Sequence, residues 1–297
     1  MATAPRAVLV HRRTERETIV AEQGTWGQAE FVQGMRGVSL DEVQQRHDRF
    51  TEAMHLASAA VPKHWRRGSV LRDDLDRFLF EPDDVVVVIG QDGLVANTAK
   101  YLDGQPVIGV NPDPRAGWGV LVRHAARDLA ALLPAVAEGR ARTEQRTMVS
   151  AATGEGDRLI ALNEVYLGHR SHQSARYRLS LPDGRSERQS SSGLLVGTGT
   201  GATGWCLSAA RQRVAPPTLP GPTDPALSWF VREAWPSPVT GADLTAGLLD
   251  SGAGLELRVE SEGLVVFGDG IEADCLALEW GQTVRIGAAD RRLALVV

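Results

Sequence analysis

The turn at residues 90–93 (GQDG) combines residue types that could do chemistry. The β-branched run 85–89 (VVVVI) ends at Gly90, Asp92 follows two residues later, and a helical pattern begins after Gly93. This pattern predicts a carboxylate at the carboxyl end of a buried parallel strand, where open α/β sheets bind ligands. Such a carboxylate could be a general base towards a hydroxyl or a partner of Mg²⁺. The alternative is a plain strand-to-helix turn in which the aspartate is an N-cap.

A segment rich in glycine and threonine is the second candidate. The apolar residues 194–196 (LLV) run into 197–204 (GTGTGATG), and a helical pattern starts near Trp205. Exposed backbone N–H groups and hydroxyls suit a phosphate or a ribose. No lysine follows, so the segment is not a Walker A motif, and its place in the β-rich half excludes a Rossmann fingerprint. Trp205 could stack on a base. The alternative is a flexible loop with this tryptophan in the core.

A polar pair interrupts an apolar run later in the chain. Asn163 and Glu164 lie within residues 159–167, which we interpret as one strand. Adjacent residues of a strand point to opposite faces, so at least one of the pair should face the core or a cleft, where it needs partners. The alternative is that one lies on the solvent face and the other caps a strand end.

The first half of the chain must position the aspartate turn. Short apolar runs alternate there with helical patterns, which predicts a doubly wound α/β domain. The strands are expected at 7–10, 85–89 and 106–110, and the helices at 39–60, 72–80, 94–102 and 123–138.

Strands dominate after about residue 145. Apolar and polar residues alternate over 175–181, and 182–185 (PDGR) is a hairpin signal. Residues 215–225 contain five prolines and are expected to form a loop. The sequence therefore predicts a doubly wound α/β domain at 1–145 and a β-rich, antiparallel domain at 146–297.

Composition and charge argue against a nucleic-acid-binding, membrane-spanning or secreted protein. The chain has 297 residues, 43% of them hydrophobic, and a net charge of −5. That charge gives no strong overall attraction to nucleic acid or to an anionic membrane. No stretch is long and apolar enough to span a bilayer, and the apolar run near the N-terminus is too short for a signal peptide. We expect a cytoplasmic protein without nucleic-acid or membrane partners.

Cysteines and histidines give no sign of a disulfide scaffold or a resident metal. Cys206 and Cys275 are well separated and form no CxxC pattern, so both are expected to be reduced thiols. His169 and His172 lie close together, but no third ligand is near, so we interpret them as surface-loop residues.

Taken together and in this order, these segments resemble the NAD kinase family, part of the superfamily that includes diacylglycerol and sphingosine kinases. The chain looks closest to the mitochondrial-type branch, and the similarity runs from about residue 85 to the C-terminus. The family's GGDG turn corresponds to residues 90–93, its Asn–Glu pair to Asn163 and Glu164, and its glycine–threonine loop to 198–205 (TGTGATGW). A late Asp269–Gly270 turn also matches.

The resemblance implies an activity. Members of the family transfer the γ-phosphoryl group of ATP, with Mg²⁺, to the 2′-hydroxyl of the adenosine ribose of NAD(H), giving NADP(H). Their fold is an α/β domain followed by a β-sandwich-like domain, and the last strand region returns to the first domain. They are usually homodimers or larger homo-oligomers. The implied partners are a dinucleotide and a nucleoside triphosphate.

The resemblance also assigns roles residue by residue. Asp92 is the expected base or metal-orienting carboxylate, and Gly90 and Gly93 are expected to line the phosphate path. The residues expected to hold the dinucleotide are Asn111, Asn163, Glu164, Thr198, Thr200, Gly201, Thr203, Trp205 and Ser208.

Two departures from the family pattern lie in the aspartate turn. Gln91 replaces the second glycine, and Leu94 replaces the usual threonine. They keep two alternatives open. One is a catalytically weak or non-catalytic dinucleotide-binding protein on the same fold, and the other is a kinase of another hydroxylated small molecule.

Overall fold

The structure is a computed structural model that describes residues 4–117, 119–171 and 173–297. The chain divides into two compact units, Met1–Glu144 with Ala294–Val297, and Gln145–Leu293. His172, one of the two loop histidines considered above, lies outside the described residues. Over the described ranges, no helix has both the length and the apolar character needed to cross a bilayer.

The first unit is built on a parallel sheet. Its strands are β1 (Arg6–His11), β2 (Arg66–Leu71), β3 (Asp84–Ile89) and β4 (Pro106–Val110). Its helices are α1 (Glu15–Gln23), α2 (Trp26–Gly34), α3 (Asp41–Ala60), α4 (Asp92–Ala99) and α5 (Leu129–Ala137). The strand order is β2-β1-β3-β4. Near the C-terminus, Ala294 and Leu295 extend the sheet by pairing in parallel with Pro106 and Val107.

Burial in the first unit follows from its apolar runs. All six residues of β3 are buried, as expected for a strand covered on both faces. Ala53 and Ala57 of α3, together with Leu129 and Leu133 of α5, share one core cluster with alternate residues of β1, β3 and β4. Helix α4 packs against β3 and β4. The carboxyl end of β3 and the start of α4 are therefore fixed by the core.

Two helix predictions in this unit need correction, and two helices were not predicted. Residues 72–80 form a 3₁₀ helix over Arg72–Arg77, not an α-helix. Only α5 and a short 3₁₀ turn, Ala126–Asp128, form within 123–138. Helices α1 and α2 were not predicted, although α1 starts with a capping box in which Thr14 and Glu17 exchange hydrogen bonds.

The second unit contains antiparallel strands. They are β5 (Thr143–Thr153), β6 (Arg158–Ala161), β7 (Glu164–His169), β8 (Ala175–Ser180), β9 (Ser186–Ser191), β10 (Gly193–Gly197), β11 (Leu227–Arg232), β12 (Ala246–Leu249), β13 (Gly254–Val259), β14 (Leu264–Gly268), β15 (Ile271–Leu278) and β16 (Thr283–Val296). One sheet has the order β12-β11-β10-β7-β14-β15, and β16-β13-β8-β9 belong to another, which β5 and β6 join through β16. Helix α6 (Trp205–Arg211) follows β10.

Residues from both sheets form one core cluster in this unit. Tyr177 and Leu179 of β8 lie in the same cluster as Leu194 and Val196 of β10, and these positions alternate along their strands. This arrangement is a β-sandwich. The predicted fold class, an α/β region followed by an antiparallel β region, is confirmed.

Candidate functional site

In the first unit, the predicted aspartate turn joins β3 to α4. The backbone N–H of Gly90 donates to the carbonyl of Val110 at 3.0 Å, which holds the end of β3 beside the end of β4. Asp92 is the first residue of α4, and Gly93 is exposed beside it. The structure therefore places this carboxylate at the carboxyl edge of the parallel sheet, at a helix N-terminus.

The Asp92 carboxylate binds three consecutive backbone N–H groups. Its Oδ2 accepts from Val120 at 2.7 Å, and its Oδ1 accepts from Leu121 at 2.9 Å and Val122 at 3.1 Å. A β-carbon at Gly119 would collide with Oδ1, so the close approach requires glycine there. A carboxylate has about four lone-pair positions. Within the described residues, three are used, and the remaining one is on Oδ2.

The structure shows where Gln91 and Leu94, the two departures from the family pattern, direct their side chains. Gln91 is exposed, and its Oε1 accepts a hydrogen bond from Nη2 of Arg12 at 3.1 Å, so its side chain is directed towards the end of β1. Leu94 is buried, and its Cδ2 would lie 3.1 Å from a β-carbon at Gly90. The leucine thus adds apolar packing where a threonine would add a hydroxyl.

Asn111 has its side chain engaged in its own loop. Its Nδ2 donates to the carbonyl of Gly117 at 2.7 Å, and its Oδ1 accepts from the N–H of Asp113 at 2.9 Å. The residue is buried. Its amide therefore shapes the loop that follows β4.

In the second unit, Asn163 and Glu164 lie at a bend. The prediction of one strand over 159–167 was wrong, because β6 ends at Ala161 and β7 begins at Glu164. Asp269 explains the bend, since its two carboxylate oxygens accept the N–H groups of Leu162 at 2.8 Å and of Asn163 at 2.7 Å. The late Asp269–Gly270 turn therefore shapes the polar pair.

The side chains of this pair are available for a ligand in different ways. The amide of Asn163 makes no hydrogen bond within the described part of the chain. Glu164 is half-buried, and its pKa is raised to about 8 by burial and, second, by the negative charge of Asp269. A carboxyl group with that pKa is mostly protonated at neutral pH and can donate a hydrogen bond.

The glycine–threonine loop is held by its own hydroxyls. Thr198 Oγ1 donates to the carbonyl of Leu162 at 2.6 Å and accepts from the N–H groups of Thr200 at 3.1 Å and Gly201 at 3.3 Å. Thr203 Oγ1 donates to the carbonyl of Thr200 at 2.9 Å. Thr198 and Thr203 therefore fix the loop's shape.

Arg146 lies behind this loop and was not predicted as a site residue. It is the largest fully buried side chain among the described residues. Its Nη1 donates to Oγ1 of Thr200 at 3.4 Å. The sequence did not mark Arg146 as a buried residue, because charged residues within a strand are normally exposed to solvent.

Trp205 and Ser208 lie on α6. The Trp205 indole stacks on Tyr166, with ring centroids 5.2 Å apart and an interplanar angle of 23°. The guanidinium of Arg232 lies 5.4 Å from the indole centroid. Ser208 is exposed. The tryptophan is thus packed in an aromatic cluster, and a role in stacking on a base stays a prediction.

Gly201 gives a sharp test of the loop's packing. A β-carbon there would collide with the carbonyl oxygen of Asn163 and lie 3.0 Å from Oε2 of Glu164. We expect Gly201→Ala to lower the free energy of unfolding by about 1–3 kcal/mol. Denaturant unfolding measures this effect. Gly154→Ala is the control, since a β-carbon at Gly154 has no atom within 4 Å. Equal behaviour of the two variants would contradict the tight packing.

Acidic residues and histidines form no metal cluster in the described ranges. No group of three or more His, Cys, Asp or Glu side chains that could hold a metal ion is present there.

Sequence comparison finds relatives among bacterial NAD kinases. The chain is 29% identical over 193 residues to an NAD kinase from Geobacter metallireducens, covering 62% of this chain and 63% of the relative. It is 35% identical over 146 residues to one from Cupriavidus pinatubonensis, covering 46% of each chain. The chain therefore spans less than two thirds of the length of the curated relatives it matches. No protein-family model matches it.

Structural comparison gives a match over the whole chain. Yeast NADH kinase, solved in complex with NADH, aligns with a TM-score of 0.64 and 13% identity, covering 100% of this chain and 84% of that one. The likeness shows a shared fold. The chain is therefore similar in sequence to bacterial NAD kinases and similar in fold to a yeast NADH kinase.

Proposed function

We propose that this protein is an ATP-dependent kinase that phosphorylates the 2′-hydroxyl of the adenosine ribose of NAD(H), giving NADP(H). The observation that carries the proposal is the Asp92 carboxylate, held at the N-terminus of α4 with one acceptor position remaining on Oδ2 among the described contacts. The relatives named NAD kinase support the choice of acceptor.

The proposed reaction is a single displacement. The ribose 2′-oxygen forms a bond to the γ-phosphorus of ATP, the bond from that phosphorus to the β,γ-bridging oxygen breaks, and ADP leaves. The hydroxyl proton goes to Oδ2 of Asp92 and then to solvent. The three N–H bonds fix the carboxylate in place, which suits a reaction that depends on positioning more than on covalent chemistry.

Mg²⁺ is the expected metal, and the residues present fit one that arrives with ATP. Mg²⁺ is commonly bound by one or two carboxylates together with substrate phosphates. Asp92 could supply one such oxygen, Oδ2. When bound, the ion would neutralise charge that develops on the phosphoryl oxygens. The same Oδ2 position serves either the metal or the hydroxyl proton, so Asp92 has one of these two roles at a time.

The second unit is proposed to hold the dinucleotide. Asn163 offers an amide, and Glu164 offers a carboxyl group with a raised pKa. The backbone N–H groups of Thr198, Thr200, Gly201 and Thr203 are bound within the protein, so these residues are proposed to shape the surface that receives the dinucleotide. Trp205 and Ser208 complete the proposed set in this unit. In the first unit, Asn111 is proposed as a dinucleotide contact, and Gly90 and Gly93 are proposed to line the phosphate path.

The proposal also includes the cellular location and the oligomeric state of the protein. The family resemblance supports a cytoplasmic protein that acts as a homodimer or larger homo-oligomer. A position in the mitochondrial-type branch of the family also stays a prediction, since the relatives described above are bacterial.

One observation favours a second candidate function. Three backbone N–H groups already occupy most of the acceptor positions of the Asp92 carboxylate. Asp92 could therefore serve only to hold residues 120–122, as in a dinucleotide-binding protein without turnover. A kinase of another hydroxylated small molecule would keep the same Asp92 geometry.

A coupled assay separates these functions. We expect purified protein with ATP, Mg²⁺ and NAD or NADH to produce NADP(H), followed with an NADP-specific dehydrogenase. Absence of product from protein that binds NAD in calorimetry would contradict the kinase and favour the non-catalytic candidate. Absence of both would favour a different acceptor.

A further inference from the structure

A cavity of about 900 Å³ lies in the second unit, where β7 ends and β8 begins. Its lining is mainly polar and includes His169, Arg170, Arg176, Ser261 and Glu262. The volume is in the range of small-molecule sites. A lining with this many polar groups suits a charged ligand better than an apolar one.

The cavity is at the opposite end of β7 from the Asn163–Glu164 pair. Strand β7 begins at Glu164 and ends at His169, which is about 17 Å further along an extended strand. On the neighbouring strand β10, Gly197 pairs with Glu164 and leads into the glycine–threonine loop. The cavity is therefore separate from the proposed dinucleotide site.

Two unpaired guanidinium groups line the cavity. Within the part of the chain that the structure describes, the side chains of Arg170 and Arg176 form no ion pair and no hydrogen bond, although Glu262 lines the same cavity. Two like charges that share a cavity repel each other. An anion bound between them removes that repulsion, and guanidinium groups bind phosphate oxygens in bidentate pairs.

Two further polar groups of the cavity are oriented by the backbone. Nδ1 of His169 accepts the N–H of Ser171 at 3.0 Å, so the proton of the neutral ring is on Nε2. A β-carbon at Gly263 would collide with this ring, which packs against the glycine. Oγ of Ser261 accepts the N–H of Arg176 at 3.1 Å, so its hydroxyl hydrogen can be donated to a ligand.

We propose that this cavity binds a small phosphate monoester that also carries hydroxyl groups. Arg170 and Arg176 bind the phosphate group. His169 Nε2 and the Ser261 hydroxyl donate hydrogen bonds to it. The carboxylate of Glu262 repels a bare phosphate but accepts hydrogen bonds from hydroxyl groups, so it selects a ligand that carries both. The site does not depend on the proposed kinase activity.

Calorimetry with ribose 5-phosphate tests this site, because the probe combines a phosphate monoester with hydroxyl groups. The protein is first saturated with NAD, so that the proposed dinucleotide site is occupied. The variants are Arg170→Gln and Arg176→Gln, each of which removes one charge at an exposed position. Arg36→Gln is the matched control, since Arg36 is an exposed arginine of the first unit whose side chain has no partner among the described residues.

The wild type and Arg36→Gln should bind ribose 5-phosphate equally, while each cavity variant should weaken binding by at least about tenfold. Ribose, which lacks the phosphate, should not bind. Glu262→Ala should weaken binding of ribose 5-phosphate and strengthen binding of inorganic phosphate. NAD affinity, measured separately, should be the same in all of these proteins.

Three results would overturn the proposal. The first is that the wild type does not bind ribose 5-phosphate or binds ribose equally well. The second is that both arginine variants bind ribose 5-phosphate as the wild type does. The third is that the arginine variants lose NAD affinity, because the arginines would then belong to the dinucleotide site.

Discussion

Asp92→Asn is expected to lower kcat for NADP formation by about two to four orders of magnitude. The amide cannot accept the hydroxyl proton or give Mg²⁺ a charged oxygen. It also cannot reproduce the carboxylate's hydrogen bonds, because the NH₂ group must face at least one of the N–H donors of residues 120–122. The change therefore disturbs the loop although the side chains have the same shape, at a cost of about 1–3 kcal/mol for an unsatisfied group.

Two measurements separate catalysis from loop positioning in this variant. NAD affinity by calorimetry should change little if the second unit holds the dinucleotide, so the loss should be in kcat. Asp128→Asn is the control, since Asp128 Oδ2 also accepts a backbone N–H, that of Ala125 at 2.8 Å, and belongs to no proposed site. A near wild-type kcat for Asp92→Asn, or an equal loss in Asp128→Asn, would refute the assigned role.

Much of the fold follows from local patterns in the sequence. The run VVVVI at 85–89 predicts a strand covered on both faces, and the structure has β3 there. The alternation over 175–181 predicts a half-buried strand, and β8 has the burial expected. Even α1, which was not predicted, has a local signal in Thr14 and Glu17.

The details of the site depend instead on contacts between distant residues. The bend at Asn163 is made by Asp269, 106 residues later. The N–H groups that bind Asp92 come from residues 28 to 30 positions away. Such pairings leave no periodic pattern, so the sequence indicates candidate residues but not how Asn163 and Asp92 are oriented.

Glu164 leads to the last prediction, which concerns pH. Asp269, in the β14–β15 turn, is the charged group that faces Glu164, and the Cys206 thiol faces it from α6. The neighbours of Glu164 on β10 and in the glycine–threonine loop are glycines, Gly197 and Gly201. Both oxygens of Asp269 accept backbone N–H groups. Its carboxylate is therefore held as an acceptor, and the proton shared by this acidic pair resides on Glu164.

The sign of the effect follows from the direction of the shift. Burial and Asp269 raise the pKa of Glu164 from 4.5 to about 8, so between these values the folded protein binds a proton that the unfolded chain has lost. Stability from this group is complete below pH 4.5 and is lost as the pH rises to about 8. With partial solvent contact, the loss is on the order of 2–4 kcal/mol.

Glu164→Gln should remove this loss, because glutamine keeps the shape and stays neutral. We expect the wild type to lose stability relative to the variant between pH 5 and 8, measured by urea unfolding across that range. In the control variant, Glu187→Gln, the free energy of unfolding should still fall between pH 5 and 8. Burial opposes ionisation of Glu187, but hydrogen bonds from Gln189 and from the N–H groups of Asp243 and Leu244 outweigh it and lower its pKa. Glu187 is therefore ionised throughout the range. A Glu164→Gln curve parallel to that of the wild type would mean that Glu164 is already ionised at pH 5.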